Sequence, residues 1–403
     1  MNARAEIRRG GFWLAALLLA IPLINLAAWH VGAFLNPLIP AALWLVALGY
    51  AARHAHTLWP LLLVLPAFGI LLLGHPVVDW DARSIWFFHA KRIFLDGSAT
   101  APLDNYAAWS HNDYPVLVPA MAASFARGLR HWNEIFPKLA IFATTAPVLL
   151  LMGLLLRNAL AWGLWFTAVL ALAGPLLING YVDALTGLYF GAALAVAAHL
   201  QTPDVPPAQR PVFTWLLALL IAALTLTKNE GLPAAGLVAL MAFTGPRWRR
   251  VLAACAAGFL VYLLLWKLHV WQARIGNDLF VRSPLQQALE RLRDGTSAPL
   301  ILAQFLRHSA PFLMAALALA WFGRQQRPVL GGALVVLGYA ALLFGVYLMT
   351  PHNLDWHLGT SVSRTLLVVN LALVTFLAWA LTHWRAAPAV ATPSLSRLTE
   401  PTA

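Results

Sequence analysis

Long apolar runs recur along the whole chain, at 11–30, 36–52, 57–74, 136–156, 159–178, 183–200, 211–227, 231–244, 250–270, 303–322, 328–349 and 363–383. A soluble fold gains nothing from so many uncharged stretches, whereas a bilayer demands about 20 apolar residues for each spanning helix. Barrel strands alternate apolar and polar residues, and these runs do not. The chain is therefore expected to be all-α, a polytopic membrane protein of about 12 transmembrane helices. The 231–244 run is short for a full crossing. Only 10% of the 403 residues are charged and 61% are hydrophobic, and the mean hydropathy is +0.73. Pro22, Pro66, Pro147 and Pro175 fall inside or near the ends of these runs, which membrane helices tolerate.

Orientation follows from Lys and Arg in the short loops. Arg4, Arg8, Arg9, Arg53, Arg157, Arg210, PRWRR at 246–250, GRQQR at 323–327, Arg385 and Arg397 all fall on one side if the chain crosses twelve times. Both termini are then cytoplasmic. On this count the inside carries 13 basic and 3 acidic residues, and the outside 14 basic and 12 acidic. The net charge of +12 thus reports topology and gives no argument for a nucleic-acid partner. The acids Glu6, Asp204 and Glu400 stay inside while twelve gather outside. Orientation does not require that bias, so the outer face has another use for carboxylates.

Residues 1–385 read as one transmembrane domain with two long outer loops, 75–135 and 271–302. Loops of that length are usually functional. The first mixes Ile85, Trp86, Phe87, Phe88, Ile93 and Phe94 with Arg83, Lys91 and Arg92, the pattern of an interfacial helix. The tail 386–403 is rich in Pro, Ser, Thr and Ala and is expected to be a disordered cytoplasmic segment. The arginines before the first run imitate a signal peptide, but the many later spans favour an uncleaved first helix. Cys255, the one cysteine, lies in an apolar run and reads as a small buried hydrophobe.

Five polar clusters share the outer face. DWDAR carries Asp79 and Asp81. Paired carboxylates raise each other's proton affinity or hold a cation, and one carboxylate can take a proton from a hydroxyl. SHNDYP, from Ser110 to Pro115, offers His111, Asp113 and Tyr114 for a sugar hydroxyl or a phosphate, although Asn-Asp-Tyr-Pro is also ordinary turn chemistry. NGYVDA puts Asp183 at a helix start, where a carboxylate also serves as a cap. TKNEG sets Lys228 and Glu230 between two apolar runs, where charge is paired or functional. Lys228 suits a phosphate as a point charge. HNLDWHLGTSVSR carries His352, Asp355, His357 and Arg364. Its spacing matches no standard zinc pattern, which favours a donor-binding loop over a metal site.

In this order WDARSIWFFHAKRIF, SHNDYPVLVP, a helix-start Asp and TKNEG resemble bacterial membrane glycosyltransferases of the GT-C superfamily. That group is related to the dolichyl-phosphate-mannose protein mannosyltransferases (family 39-like) and to lipid A aminoarabinose transferases. The resemblance spans roughly 75–365. It implies a GT-C-like bundle with interfacial helices in the first outer loop, and an inverting enzyme of the bacterial inner membrane working on its outer face. The implied donor is a polyprenyl-phosphate-linked sugar. The implied acceptor is a glycolipid, polysaccharide or protein. By position Asp81 matches the superfamily's base, with Asp79 as second choice. Much of the superfamily places that loop after the first span, whereas three spans precede it here.

The leaving lipid phosphate needs cations, for which Lys228, Arg364, Lys91 and Arg92 are candidates, as is a divalent cation held by Asp79 and Asp81. No nucleotide-binding glycine loop is seen in the sequence. Two rivals stand beside this reading. One is a transporter or flippase for a lipid-linked sugar. The other is an envelope subunit with no catalysis.

Overall fold

An apolar helix in lipid must satisfy its own backbone, and the chain responds with helices throughout. The computed structural model describes residues 3–156, 158–203, 205–277 and 283–383. The tail 386–403, Arg157, Asp204, Arg385, Arg397 and Glu400 lie outside the described residues. No strand occurs among the described residues. The helices are α1 (Ala3–His30), α2 (Leu38–Arg53), α3 (Ala55–Gly74), α4 (Phe87–Asp96), α5 (Leu117–Leu129), α6 (Leu139–Leu156), α7 (Ala159–Ala173) and α8 (Asp183–Gln201). They continue with α9 (Arg210–Thr227), α10 (Gly231–Ala239), α11 (Trp248–Tyr262), α12 (Leu268–Ala273), α13 (Pro284–Arg293), α14 (Ser297–Phe322), α15 (Arg327–Met349) and α16 (Leu354–Thr382). One hydrophobic core runs from Phe12 to Ala380.

Nine helices among the described residues are long and apolar enough to cross a membrane. Each of the other three expected spans is a helix too, but a shorter one: Leu38–Arg53, Leu58–Gly74 and Gly231–Thr244. At 1.5 Å per residue, the 16 residues of α2 reach about 24 Å, short of the roughly 30 Å hydrocarbon core. In the last of the three, the α-helix ends at Ala239 and continues as a 3₁₀ turn, Leu240–Thr244.

α8 is the axle of the bundle. Its sequence, DALTGLYFGAALAVAAHLQ, is rich in Ala and Gly, and small residues let neighbouring backbones approach. Every residue from Ala184 to Gln201 is buried. Gly187 and Gly191 face α16, where a Cβ on Gly191 would lie 2.5 Å from Thr375 Cβ and 2.8 Å from Ala372 O. Tyr189 adds a hydrogen bond of 2.7 Å to the Thr144 carbonyl of α6.

The first long loop, 75–135, is itself folded. Ala82–Trp86 forms a π-helical turn leading into α4, and α5 packs on α4, α1 and α6. Buried Lys138 holds the loop's start, donating to the carbonyls of Leu73 (3.0 Å) and His75 at the end of α3. α13 holds the other side. Arg291 donates to the carbonyls of Tyr347 (2.8 Å) and His352 (3.1 Å), and Gln287 to that of Thr350 (2.6 Å). The turn between α15 and α16 is fixed by these bonds.

Gly191→Val should therefore lower stability by about 1–3 kcal/mol, the usual effect of forced overpacking, seen as an earlier thermal unfolding midpoint in detergent. Gly163→Ala, which meets open space, should leave the midpoint in place. Equal midpoints for Gly191→Val and the parent would contradict the packing described.

Candidate functional site

The deepest charge in the molecule sits where α8 begins and α9 ends. α9 stops at Thr227, Lys228 turns into extended backbone and α10 starts at Gly231. That break aims Lys228 at the first residue of α8. Its Nζ lies 2.8 Å from Asp183 Oδ1 and 2.9 Å from Glu230 Oε1. Asp183 is 0% exposed and Lys228 6%. At such depth an unpaired charge is prohibitive, so the three groups form one unit. Asp183 Oδ2 and Glu230 Oε2 are buried with no hydrogen-bond partner among the described residues.

A second pair lies beside it. Arg364, in the third turn of α16, donates to Asp81 Oδ2 at the start of the π turn and to the Thr360 carbonyl at 3.1 Å. Its guanidinium lies 5.0 Å from the ring centre of Tyr181. The Asp81 amide donates to the Tyr181 hydroxyl at 3.4 Å. Burial, with the Asp81 charge adding to it, pushes the Tyr181 phenol above its usual range. Asp79 has a different partner, accepting from Asn179 Nδ2 at 2.7 Å.

The SHNDYP segment is shaped from behind. Ser110 and His89 are both fully buried and bonded at 2.7 Å. Burial pushes the His89 imidazole down to about 3, and the nearby His111 adds to the effect. His89 therefore stays neutral. His111 adopts a left-handed conformation, φ 52°, and stacks on Tyr114 at 4.8 Å, which stacks on Trp86 at 5.6 Å. Asp113 is an acceptor between two amides, Asn229 Nδ2 and Asn277 Nδ2, each at 2.7 Å.

These pieces enclose one cavity of about 450 Å³, within the range of small-molecule sites. Of the residues singled out from sequence, Asp81, His111, Tyr114, Lys228, Glu230, His352, His357 and Arg364 line it. Asp183 lies beneath Lys228, and Asp113 behind Asn229 and Asn277. Pro233, Leu342, Leu343 and Val346 supply an apolar wall. Trp80 and Trp356, 70% and 58% exposed, also line it.

Lys91 and Arg92 do not come to this cavity. α4 turns His89, Ala90 and Ile93 inward, which leaves Lys91 and Arg92 on other faces of the helix. Arg92 donates to Asp96 (2.9 Å) and to Asp104. Lys91 lines a separate cleft with Arg83 and Glu134. Asp355 is exposed in the first turn of α16, next to the capping Asn353, whose side chain accepts from the Trp356 amide. The Asp79–Asp81 pair points at two different partners. No group of three or more His, Cys, Asp or Glu is arranged to hold a metal among the described residues.

Tyr181, Asn179, Asn277 and Tyr347 were not singled out from sequence. The first two stand inside NGYVDA, where a signal existed. Asn277 sits in the second long loop with no pattern around it. Tyr347, whose hydroxyl lies 2.8 Å from Ser361 Oγ and 2.9 Å from Thr365 Oγ1, belongs to an apolar run. Comparison of the chain with protein-family models, with curated proteins and with solved structures finds no match.

Lys228→Met should cost about 3–5 kcal/mol, because the buried Asp183 carboxylate and the partly buried Glu230 lose their counter-charge. The measurement is folded protein recovered from membranes and its thermal midpoint. Adding Asp183→Asn and Glu230→Gln should restore most of the loss. A Lys228→Met protein as stable as the parent would refute the ion-paired unit.

Proposed function

We propose that the chain is a glycosyltransferase of GT-C type. It moves a sugar from a polyprenyl-phosphate donor to an envelope acceptor on the non-cytoplasmic face of a bacterial inner membrane. One observation carries the reading. A single cavity joins the Asp81 carboxylate, the Arg364 guanidinium and polar groups of the sugar-binding kind to an apolar wall on α10 and α15. A lipid-linked sugar presents that combination of a greasy tail, an anionic link and a hydroxylated ring. The motif resemblance over 75–365 supports it independently of the geometry.

The chemistry follows from the contacts. An acceptor hydroxyl attacks the anomeric carbon, the carbon–oxygen bond to phosphate breaks, and the electron pair leaves on the phosphate. Asp81 takes the hydroxyl proton, a role worth about 10²–10⁴ in rate. At rest Arg364 occupies Asp81. An arriving phosphate competes for that guanidinium, and the exchange frees the carboxylate as it places a cation on the leaving group. Lys228 has two carboxylates as partners, so its part is to hold the floor of the site.

A carrier for the same lipid-linked sugar is the alternative. Carriers put ionisable groups near mid-membrane in broken helices. Here the break at Lys228 is closed by its own two carboxylates, and the cavity above it is bordered by Asp81 in a loop segment, which favours the transferase.

The test compares envelope glycolipids and glycans, by mass spectrometry, in a deletion strain and in strains restored with the parent or with Asp81→Asn. The parent should restore a glycosylated species that Asp81→Asn fails to restore at equal amounts of folded protein. Restoration by Asp81→Asn, or no difference between deletion and parent, would overturn the assignment.

A further inference from the structure

The second long loop holds a helix built the wrong way round for water. α13 reads PLQQALERLR, and its leucines, Leu285, Leu289 and Leu292, share one face at i, i+4, i+7 spacing. In water such a face turns toward the protein. Here the three are 71%, 41% and 50% exposed, and no residue of α13 is buried. The side that meets the protein is formed by Gln287, Ala288 and Arg291, each half-buried. It works through hydrogen bonds, Gln287 to the carbonyl of Thr350 (2.6 Å) and Arg291 to those of Tyr347 (2.8 Å), Leu348 (3.2 Å) and His352 (3.1 Å). The third side is polar and closes on itself, Gln286 donating to Glu290 at 2.9 Å.

Two neighbours place α13 at the membrane boundary. Tyr347 and Leu348 belong to the last turn of α15, whose 23 residues reach about 34 Å at 1.5 Å each, against roughly 30 Å of hydrocarbon. α13 thus lies beside the end of a spanning helix rather than above it. Its own end is joined to α14 by Asp294–Thr296, and Asp294 accepts from the amides of Thr296 and Ser297 at 2.8 Å each. α14 opens a lipid-facing surface. Only 22% of its spanning window is buried, and Leu302 and Leu306 stand out from its upper turns, 50% and 48% exposed. α13 packs against both α14 and α15. A leucine face at that level has one abundant apolar partner, the acyl chains of the adjacent leaflet.

We propose that α13 is a lipid-binding interfacial helix, its Leu285–Leu289–Leu292 face seated in the leaflet on the cavity side and its Gln287–Arg291 face bonded to the turn between α15 and α16. Amphipathic helices of low overall hydrophobicity bind lipid surfaces in this way. The seating reaches the candidate site. Tyr347 and His352 line the cavity, and Arg291 holds their carbonyls, so the depth of α13 in the leaflet sets the depth of that wall. A lipid-linked ligand, whether transferred or carried, is then met at the level of the leaflet's phosphates.

The test places the full chain, carrying Cys255→Ser, in phosphatidylcholine vesicles. An environment-sensitive fluorophore is attached through Leu289→Cys, Leu292→Cys, Gln286→Cys or Glu290→Cys, one at a time. At the two leucine positions the probe should emit further to the blue and lose intensity to nitroxide-labelled lipids. At Gln286 and Glu290 it should lose intensity to aqueous iodide instead. Iodide quenching at the leucine positions equal to that at Gln286 overturns the proposal in favour of a face open to water. Protection of the leucine positions from both quenchers overturns it in favour of a protein partner or a second copy of the chain. The link to the cavity is read separately. Leu289→Gln with Leu292→Gln should increase iodide quenching of a probe attached through His352→Cys, and an unchanged probe there overturns the link.

Discussion

Everything in this molecule turns on keeping Lys228 charged inside an apolar bundle. A lone ammonium there would cost far more than the net stability of a protein. Asp183 and Glu230 offset it, and each imposes a position on the backbone. Asp183 must stand at the first residue of α8, and Lys228 and Glu230 must share the break between α9 and α10. Three helix ends are thereby tied at one level. The cavity is the space left above that knot.

The second pair, Asp81 with Arg364, is of a different kind. It lies at the cavity wall, partly open, and links the first long loop to α16. Buried pairs of the first kind are strongly destabilised by losing one partner. Pairs at a wall are available for exchange with a ligand. The molecule thus separates a charge pair that is buried in the bundle from one that stands at the cavity wall. Lys138 and Arg291, each spent on backbone carbonyls, fix the two loops that bring these groups together.

Much of this was legible in the sequence, for physical reasons. Lipid enforces long uncharged runs, so every expected span appears as a helix. The three short ones differ because composition reports apolar character and leaves length to the turns, as at Leu240–Thr244. Charge is conspicuous in such a chain, so DWDAR, SHNDYP, TKNEG and the segment around Arg364 stood out. Their partners did not. Asn277 and Tyr347 carry no charge and sit in no pattern, yet one holds Asp113 and the other meets Ser361 and Thr365. Lys91 and Arg92 misled because a cation near the site in sequence was counted as near it in space. The helical phase that buries His89, Ala90 and Ile93 already turns them elsewhere.

The central claim is that DWDAR, SHNDYP, TKNEG and the segment around Arg364 meet on one side of the membrane, around one cavity. Cysteine labelling tests it most directly, because the chain has only Cys255, replaceable by Ser. Single cysteines at Trp80, His111, Asn229 and Trp356, each lining the cavity, would be exposed in intact cells to a maleimide that cannot cross the inner membrane. All four should label from outside, and a ligand that fills the cavity should slow all four together. Labelling of any one only after the inner membrane is permeabilised would contradict the account.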